Sequence, residues 1–376
     1  MPETYYVEGL PLYCVASDGQ GLVITGGGGG GKSYGVMNFL QVHVIIHNQK
    51  SHTVSLETIN TVDMGPDAPQ CIDHADGVWV VSFGGSAMLF TFNDEKLSIS
   101  ELIRFRTEKF SFNHLTNFIK IKNNFLISGG EDKLLRLWRI EKNERNQIHQ
   151  VSVIREFPDH QSEVSDGDWD STGQRFLSCG KDGSVKVWGL QTGQCQCTIT
   201  PRSIDKKMEN QPLTVRSAYF TGSNDVIVCA QHPRGPAFLF LYSLASAGQP
   251  LTSVTATKRT VASMGINANR DQIAVSHEGG EKDVYSLPNL LRIYSVSKEV
   301  HGIAPGKTRF VNDNLIVSVS TDSGMNFYDP LKKQNSFLMK ISLFLFSIIF
   351  IIAMIIILTD PRVASYMNKL FGQQEL

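Results

Sequence analysis

"SEVSDGDWDSTGQRFLSCGKDGSVKVWGLQTGQCQCTI", Ser162 to Ile199, decides the fold. It holds an apolar strand, a turn at Lys181-Asp182-Gly183, and an alternating strand that ends on Trp188. Asp-Gly supplies the positive φ of a tight turn, and strict alternation buries one face of a strand. A second stretch, "FLISGGEDKLLRLWRI" from Phe125 to Ile140, repeats this order and ends near Trp138. Two hairpins of one design predict an all-β repeat protein.

The pattern resembles the second half of a WD repeat, which places four strands in each blade of a propeller. Weaker copies lie on both sides. Gly26, Gly84, Gly129, Gly180, Ala230, His277 and Thr321 mark seven units. After a first interval of 58 residues they are spaced by 45, 51, 50, 47 and 44. A blade without insertions repeats every ~40–45 residues. The long first interval implies an extension in blade one, and Glu278 to Pro288 reads as a loop inserted in blade six. "YYVEGL" near the N-terminus is expected to supply the outer strand of the last blade, which removes a free edge.

The chain has 376 residues, 41% of them hydrophobic, with 32 glycines and a formal net charge of −1. Such a balance gives no whole-chain attraction to nucleic acid, and none is expected as a partner. The six cysteines include a single C-x-C pair, Cys195 and Cys197, with no second pair or nearby His to complete a zinc site. They read as small hydrophobes in a reducing compartment. The start, "MPETYYVEGL", shows neither a basic n-region nor an apolar h-region.

Near the end, "ISLFLFSIIFIIAMIIIL" runs from Ile341 to Leu358 without a charge. With Leu338 and Met339 it approaches the ~20 residues that span a bilayer as a helix. Lys332, Lys333 and Lys340 precede it, which favours an N-terminal side in the cytosol. The expected organisation is a cytosolic seven-bladed propeller over 1–330, a basic linker at 331–337, a single transmembrane helix at 338–358, and a short lumenal tail at 359–376.

One motif competes with this reading. "LVITGGGGGGKSYGVMNFLQV" fits the P-loop formula through Gly26, Gly31, Lys32 and Ser33. A P-loop needs a helix after its glycines, because the helix N-terminus helps to hold the phosphates. Here Gln41 to His47 alternates and is β-branched, so a strand is expected and no bound nucleotide. Without a partner, the glycines read as a permissive hairpin between two strands of blade one. Elsewhere, the acidic run Asp166 to Asp170 and His160 read as structural. Ile140 to Gln147 reads as a solvated loop between blades.

The stretch "VITGGGGGGKSYGVMN" also resembles the glycine-rich loop of the prolactin regulatory element-binding protein family. These are exchange factors of the endoplasmic reticulum membrane for the small GTPase that starts COPII coat assembly. Gly26, Gly27, Gly28 and Gly29 match the family's four glycines. Gly30 and Gly31 fill its variable pair, Lys32 its basic position, and Gly35, Val36 and Asn38 the remainder. Ser33 and Tyr34 stand where the family has one residue. The resemblance extends to the propeller, the loop in its first blade and the C-terminal anchor.

It implies an enzyme regulator rather than an enzyme. Its partners would be the endoplasmic reticulum membrane and a secretion-associated Ras-related GTPase of the COPII coat, contacted by residues 26–36 and Asn38. It also implies a potassium ion held by loop carbonyls. No covalent chemistry is needed, and no Ser-His-Asp or paired-carboxylate site is expected. A tethered propeller that scaffolds partners without exchange activity is the alternative. A nucleotide hydrolase built on Gly31-Lys32-Ser33 is a third reading, which requires nucleotide binding by the propeller alone.

Overall fold

The computed structural model describes residues 3–6, 10–31, 35–48, 53–107, 114–246, 248–296, 305–322 and 324–328. They form seven antiparallel sheets of four strands each. Blades one to six follow chain order over residues 12–65, 69–106, 116–157, 164–199, 214–257 and 261–296. Blade seven combines Pro305–Phe310, Ile316–Ser320 and Gly324–Tyr328 with a fourth strand from the other end of the chain, Glu3–Tyr6. Glu3 pairs with Phe327 and Tyr6 with Gly324, so the last blade closes on the N-terminus as expected, two residues upstream of the stretch named for it.

The first strand of every blade touches the first strands of both neighbours, which closes a ring around a central channel. Fourth strands lie outermost; the one in blade two, Ser98–Arg106, shows almost no buried residue. Seven clusters of apolar side chains fill the seven interfaces between blades. The cluster between blades four and five is large and includes Phe220, Phe238 and Phe240. The one between blades six and seven is thin: Ala274, Val284, Ile316 and Tyr328. Burial of such faces is the main favourable term in forming the ring.

The decisive stretch folds as blade four, and polar contacts fix its second and third strands. Trp188 Nε1 donates to Ser178 Oγ at 3.1 Å, and His160 Nε2 lies 2.8 Å from the same oxygen. His160 Nδ1 faces Asp182 at 2.9 Å. Burial alone would raise the Asp182 carboxyl. Hydrogen bonds from His160, Ser184 and the Gln161 N–H outweigh it and hold the group well below the usual carboxylate range. His160 is thus structural, as read from the sequence. Blade three keeps one bond of this set, Trp138 Nε1 to Ser128 Oγ at 2.9 Å.

Two expectations need correction. Ile140 to Gln147 is not a link between blades: it joins Leu135–Lys142 to Ile148–Phe157 within blade three. Glu278 to Pro288 is not an insertion either, because Lys282–Ser286 is the third strand of blade six. Its Lys-Asp start looks like a loop in sequence, yet Lys282 and Asp283 are both buried there. The extension of blade one is its outer hairpin, Asn38–Asn48 with Thr53–Gly65, paired from Asn38 to Asn48. The linker, membrane helix and tail expected at 331–376 lie outside the described residues. Among the described residues, no helix is long and apolar enough to cross a membrane.

Candidate functional site at one end of the propeller

The glycine run does not behave as one loop. Gly26 and Gly27 are the last residues of the strand Leu22–Gly27, paired with Leu40 and Phe39. A Cβ on Gly27 would stand 2.0 Å from the Pro11 carbonyl oxygen, so only glycine fits this close approach. Gly28 leaves the strand at φ 141° and donates its N–H to Pro11 O at 2.9 Å. Its own carbonyl accepts from the Tyr13 hydroxyl at 2.8 Å. Gly31 and Val36 form an isolated antiparallel bridge, which makes the segment a narrow hairpin.

Asn38 closes the neck of that hairpin. Its side chain is fully buried, accepts from the Gly30 N–H at 3.2 Å and donates to Gly65 O at 3.0 Å. Gly26–Gly31, Gly35, Val36 and Asn38 are therefore brought together, while Lys32, Ser33 and Tyr34 lie outside the described residues. The hairpin leads into the strand Asn38–Asn48. A P-loop requires a helix at that place, so its geometry is not formed here.

Behind the neck, His43 Nε2 lies 2.8 Å from Thr25 Oγ1 and Nδ1 lies 2.9 Å from Thr58 Oγ1. This row crosses three strands of blade one. Burial pushes the imidazole down to about 4, so it is neutral at physiological pH.

In an antiparallel blade the second strand ends where the first begins, so this hairpin shares an end of the propeller with the starts of all first strands. At that end every blade departs from regular pairing in the same place. The register shifts fall at Tyr13, Gln70, Asn117, Ser165, Arg216, Ala262 and Gly306. Such bulges re-aim side chains at rims. Tyr13 holds the glycine hairpin, Asn117 Nδ2 donates to Val164 O of the next blade at 3.0 Å, and Arg216 Nε donates to Ala262 O at 2.9 Å. Five of the seven line one cavity of about 270 Å³ at the channel mouth, with Asp166, Lys307 and Arg309.

The acidic run in blade four divides its work. Asp170 caps its own turn, accepting from Gln174 N at 3.0 Å and from Thr172 Oγ1 at 3.0 Å. Asp168 reaches across to Arg270 of blade six at 2.6 Å. Asp166 accepts from the Tyr219 hydroxyl at 2.8 Å beside the cavity. Burial works against the Asp166 anion, but Lys307, Arg309 and Lys120 keep its carboxyl below the ordinary range.

Sequence reading missed the cavity because its residues are scattered from Gln70 to Arg309. A usable signal was the bulge position, which recurs 12 to 15 residues before each unit marker. The cysteines are all free, and the exposed Cys195 has its partly buried neighbour Cys197 on the same outer strand. Among the described residues, no group of three or more His, Cys, Asp or Glu is placed to hold a metal ion.

Comparison with known proteins agrees with this architecture. Residues 151–189 match the family described as WD domain, G-beta repeat. That span joins the outer strand of blade three to three strands of blade four, so the sequence repeat is offset from the blade. A stretch of 95 residues is 25% identical to Pre-mRNA-processing factor 17 of Saccharomyces cerevisiae, covering 25% of this chain and 19% of that protein. Among solved structures, a chain of the "Crystal Structure of Mitotic Checkpoint Complex" superposes with a TM-score of 0.63 at 14% identity. The alignment covers 88% of this chain and 94% of that one. Saccharomyces cerevisiae Sqt1 gives 0.61 at 12% identity, over 87% and 97%. The chain is a seven-bladed β-propeller with WD-repeat sequence in its fourth blade.

Proposed function

We propose that this propeller is a membrane-tethered guanine-nucleotide exchange factor for the small GTPase that initiates COPII coat assembly, and that the blade-one glycine hairpin is the element that engages it. The observation that carries the reading is the Asn38 clamp. A glycine run that would otherwise lose ~1–2 kcal/mol of backbone freedom per ordered residue is already held at its neck by Gly30, Asn38 and Gly65. A preorganised hairpin at the end of the propeller costs less to dock. Residues 338–358 supply the anchor in this reading, which places the propeller on the cytosolic face of the endoplasmic reticulum.

Potassium belongs to the same proposal. Hard cations prefer oxygen ligands, and the backbone carbonyls of the glycine loop are the donors proposed for it. The Gly28 carbonyl is already used by Tyr13. When bound, the cation would offset the repulsion among carbonyl dipoles of a tight turn. The chain's own part is to present the hairpin and hold its neck. Exchange then proceeds by displacing the contacts that retain Mg²⁺ and GDP on the GTPase.

The test is GDP release by the full-length chain in detergent, in potassium and then in sodium. Acceleration that is lost when residues 28–36 are replaced by a short Gly-Ser turn supports exchange. No acceleration by a folded protein moves the reading to a tethered scaffold. The extra residue at Ser33-Tyr34, relative to the family motif, favours that second reading.

A further inference from the structure

The inner wall of the channel mouth carries three cations, Arg216, Lys307 and Arg309, against one carboxylate, Asp166, in one cavity of about 270 Å³. The rim adds little charge. Glu163 is paired with Lys181 at 2.6 Å, and Glu131 accepts from the Leu115 N–H at 3.1 Å. With Glu131 included the cavity still has an excess of positive charge.

Among the described residues, Asp166 forms no direct ion pair with these cations, although its charge acts on Lys307 and Arg309 through the cavity. Both Asp166 oxygens are occupied, one by the Tyr219 hydroxyl at 2.8 Å and one by the Gly167 N–H at 2.9 Å. Arg309 donates through Nη1 to Met264 O and Thr308 O, and Arg216 uses Nε on Ala262 O. Among the described residues, Lys307 has neither a hydrogen-bond nor an ion-pair partner. Burial and the two guanidinium groups depress its ammonium, against the pull of Asp166. Like charges crowded in a cavity are costly unless something offsets them.

We propose that the channel mouth is a binding site for a phosphate group, with Lys307, Arg216 and Arg309 as its ligands. Lys181, Arg216, Lys307 and Arg309 against Glu131, Glu163 and Asp166 leave one net positive charge, which suits a phosphate group carrying one to two negative charges. The donors arrive from several directions: Arg216 from blade five, Lys307 and Arg309 from blade seven, with the hydroxyl-bearing Ser165 of blade four also on the wall. A divergent set suits a tetrahedral oxyanion better than a planar carboxylate. The volume lies below the ~300–1,000 Å³ typical of sites for drug-sized ligands, so the group enters free or as the end of a small ester such as a lipid headgroup. The site is separate from the glycine hairpin and does not depend on the exchange reading.

The test is isothermal titration calorimetry of the full-length chain in detergent, with inorganic phosphate, inositol trisphosphate and acetate as ligands and chloride at matched ionic strength as the control. Saturable phosphate binding is expected, weakened at least tenfold by Lys307→Met and by Arg216→Gln. Tighter binding of inositol trisphosphate than of phosphate identifies an ester as the source; equal or weaker binding identifies free phosphate. Arg216 is solvent-exposed, so Arg216→Gln decides the matter if Lys307→Met fails to fold. No saturable heat above chloride, unchanged binding in Arg216→Gln, or acetate binding as tightly as phosphate would each overturn the proposal.

Discussion

Asn38 and Gly30 are joined across the neck of the glycine hairpin, with the Gly30 N–H donating to Asn38 Oδ1 at 3.2 Å. The same amide donates to Gly65 O at 3.0 Å, which ties the hairpin to the end of the blade's outer strand. A run of glycine thus gains a fixed base from one buried side chain. Asn38→Ala removes both hydrogen bonds of the neck, and because Gly30 is exposed and Gly65 half-buried each costs about 0.5–1.5 kcal/mol. A loss of about 1–3 kcal/mol is expected in urea denaturation. A loss under about 0.5 kcal/mol would mean that water replaces the amide and the neck is not fixed by it.

Arg270 and Asp168 form a polar link that reaches across blade five, from blade six to blade four. Arg270 sits in the first hairpin of blade six, and its Nη1 lies 2.6 Å from Asp168 Oδ2 in blade four. The Phe220 N–H of blade five donates to the same carboxylate oxygen at 3.0 Å, so three blades meet at one group. Removing one partner strands the other's charge at a cost of about 3–5 kcal/mol, whereas removing both costs less. Arg270→Met should therefore be more destabilising than the double variant Asp168→Asn with Arg270→Met. Thermal unfolding of the three proteins measures this. Additive losses would refute the coupling.

How local each signal is explains why some features were legible in the sequence and others were not. Trp188, Ser178, Asp182 and His160 lie within 29 residues and build one blade, so the repeat was legible. The closing strand was legible because a ring of sheets must dispose of its last edge. The third strand of blade six was not, because Lys282 and Asp283 break the apolar pattern while being buried. The Asn38 clamp was visible only as a position in a motif, since its partners Gly30 and Gly65 flank it by 8 and 27 residues. The charged cavity had no local signature at all. Its walls come from first strands spread over most of the ring, and only closure brings them together.

His43 predicts how blade one responds to acid. Burial lowers its folded-state value to about 4, against 6.5 for the free side chain. As pH falls, the unfolded chain takes up this proton first. The stabilisation is therefore complete above pH 6.5 and is lost as pH falls toward about 4. The full effect is about 3 kcal/mol. Urea midpoints at about pH 7 and about pH 4.5 should separate by more in the native chain than in His43→Val. An equal separation in the two proteins would show that another group carries the acid response.

Lys282 acts in the opposite half of the pH range, at the thinnest interface. Its side chain is fully buried between blades six and seven, hydrogen-bonded to Ser318 Oγ and 5.1 Å from the centre of the Tyr328 ring. Burial pushes the amine down to about 7, and the nearby Asp322 only partly opposes this. The unfolded chain stays protonated up to 10.5, so between these values it binds more protons than the folded one, and stability rises with pH. Below about pH 7 the folded state carries a charged amine among apolar neighbours and the full penalty applies. Lys282→Met fills the same space without a charge, and the few apolar partners here, Val284, Ile316 and Tyr328, suit it. The native protein should gain on the order of 3–5 kcal/mol of unfolding free energy from this group across the window. The variant should lack that gain. Tyrosines and cysteines that titrate above about pH 9 are common to both proteins and cancel in the difference. Parallel pH profiles for the two would show that Lys282 stays charged within the interface, held by Asp322 and the Tyr328 ring.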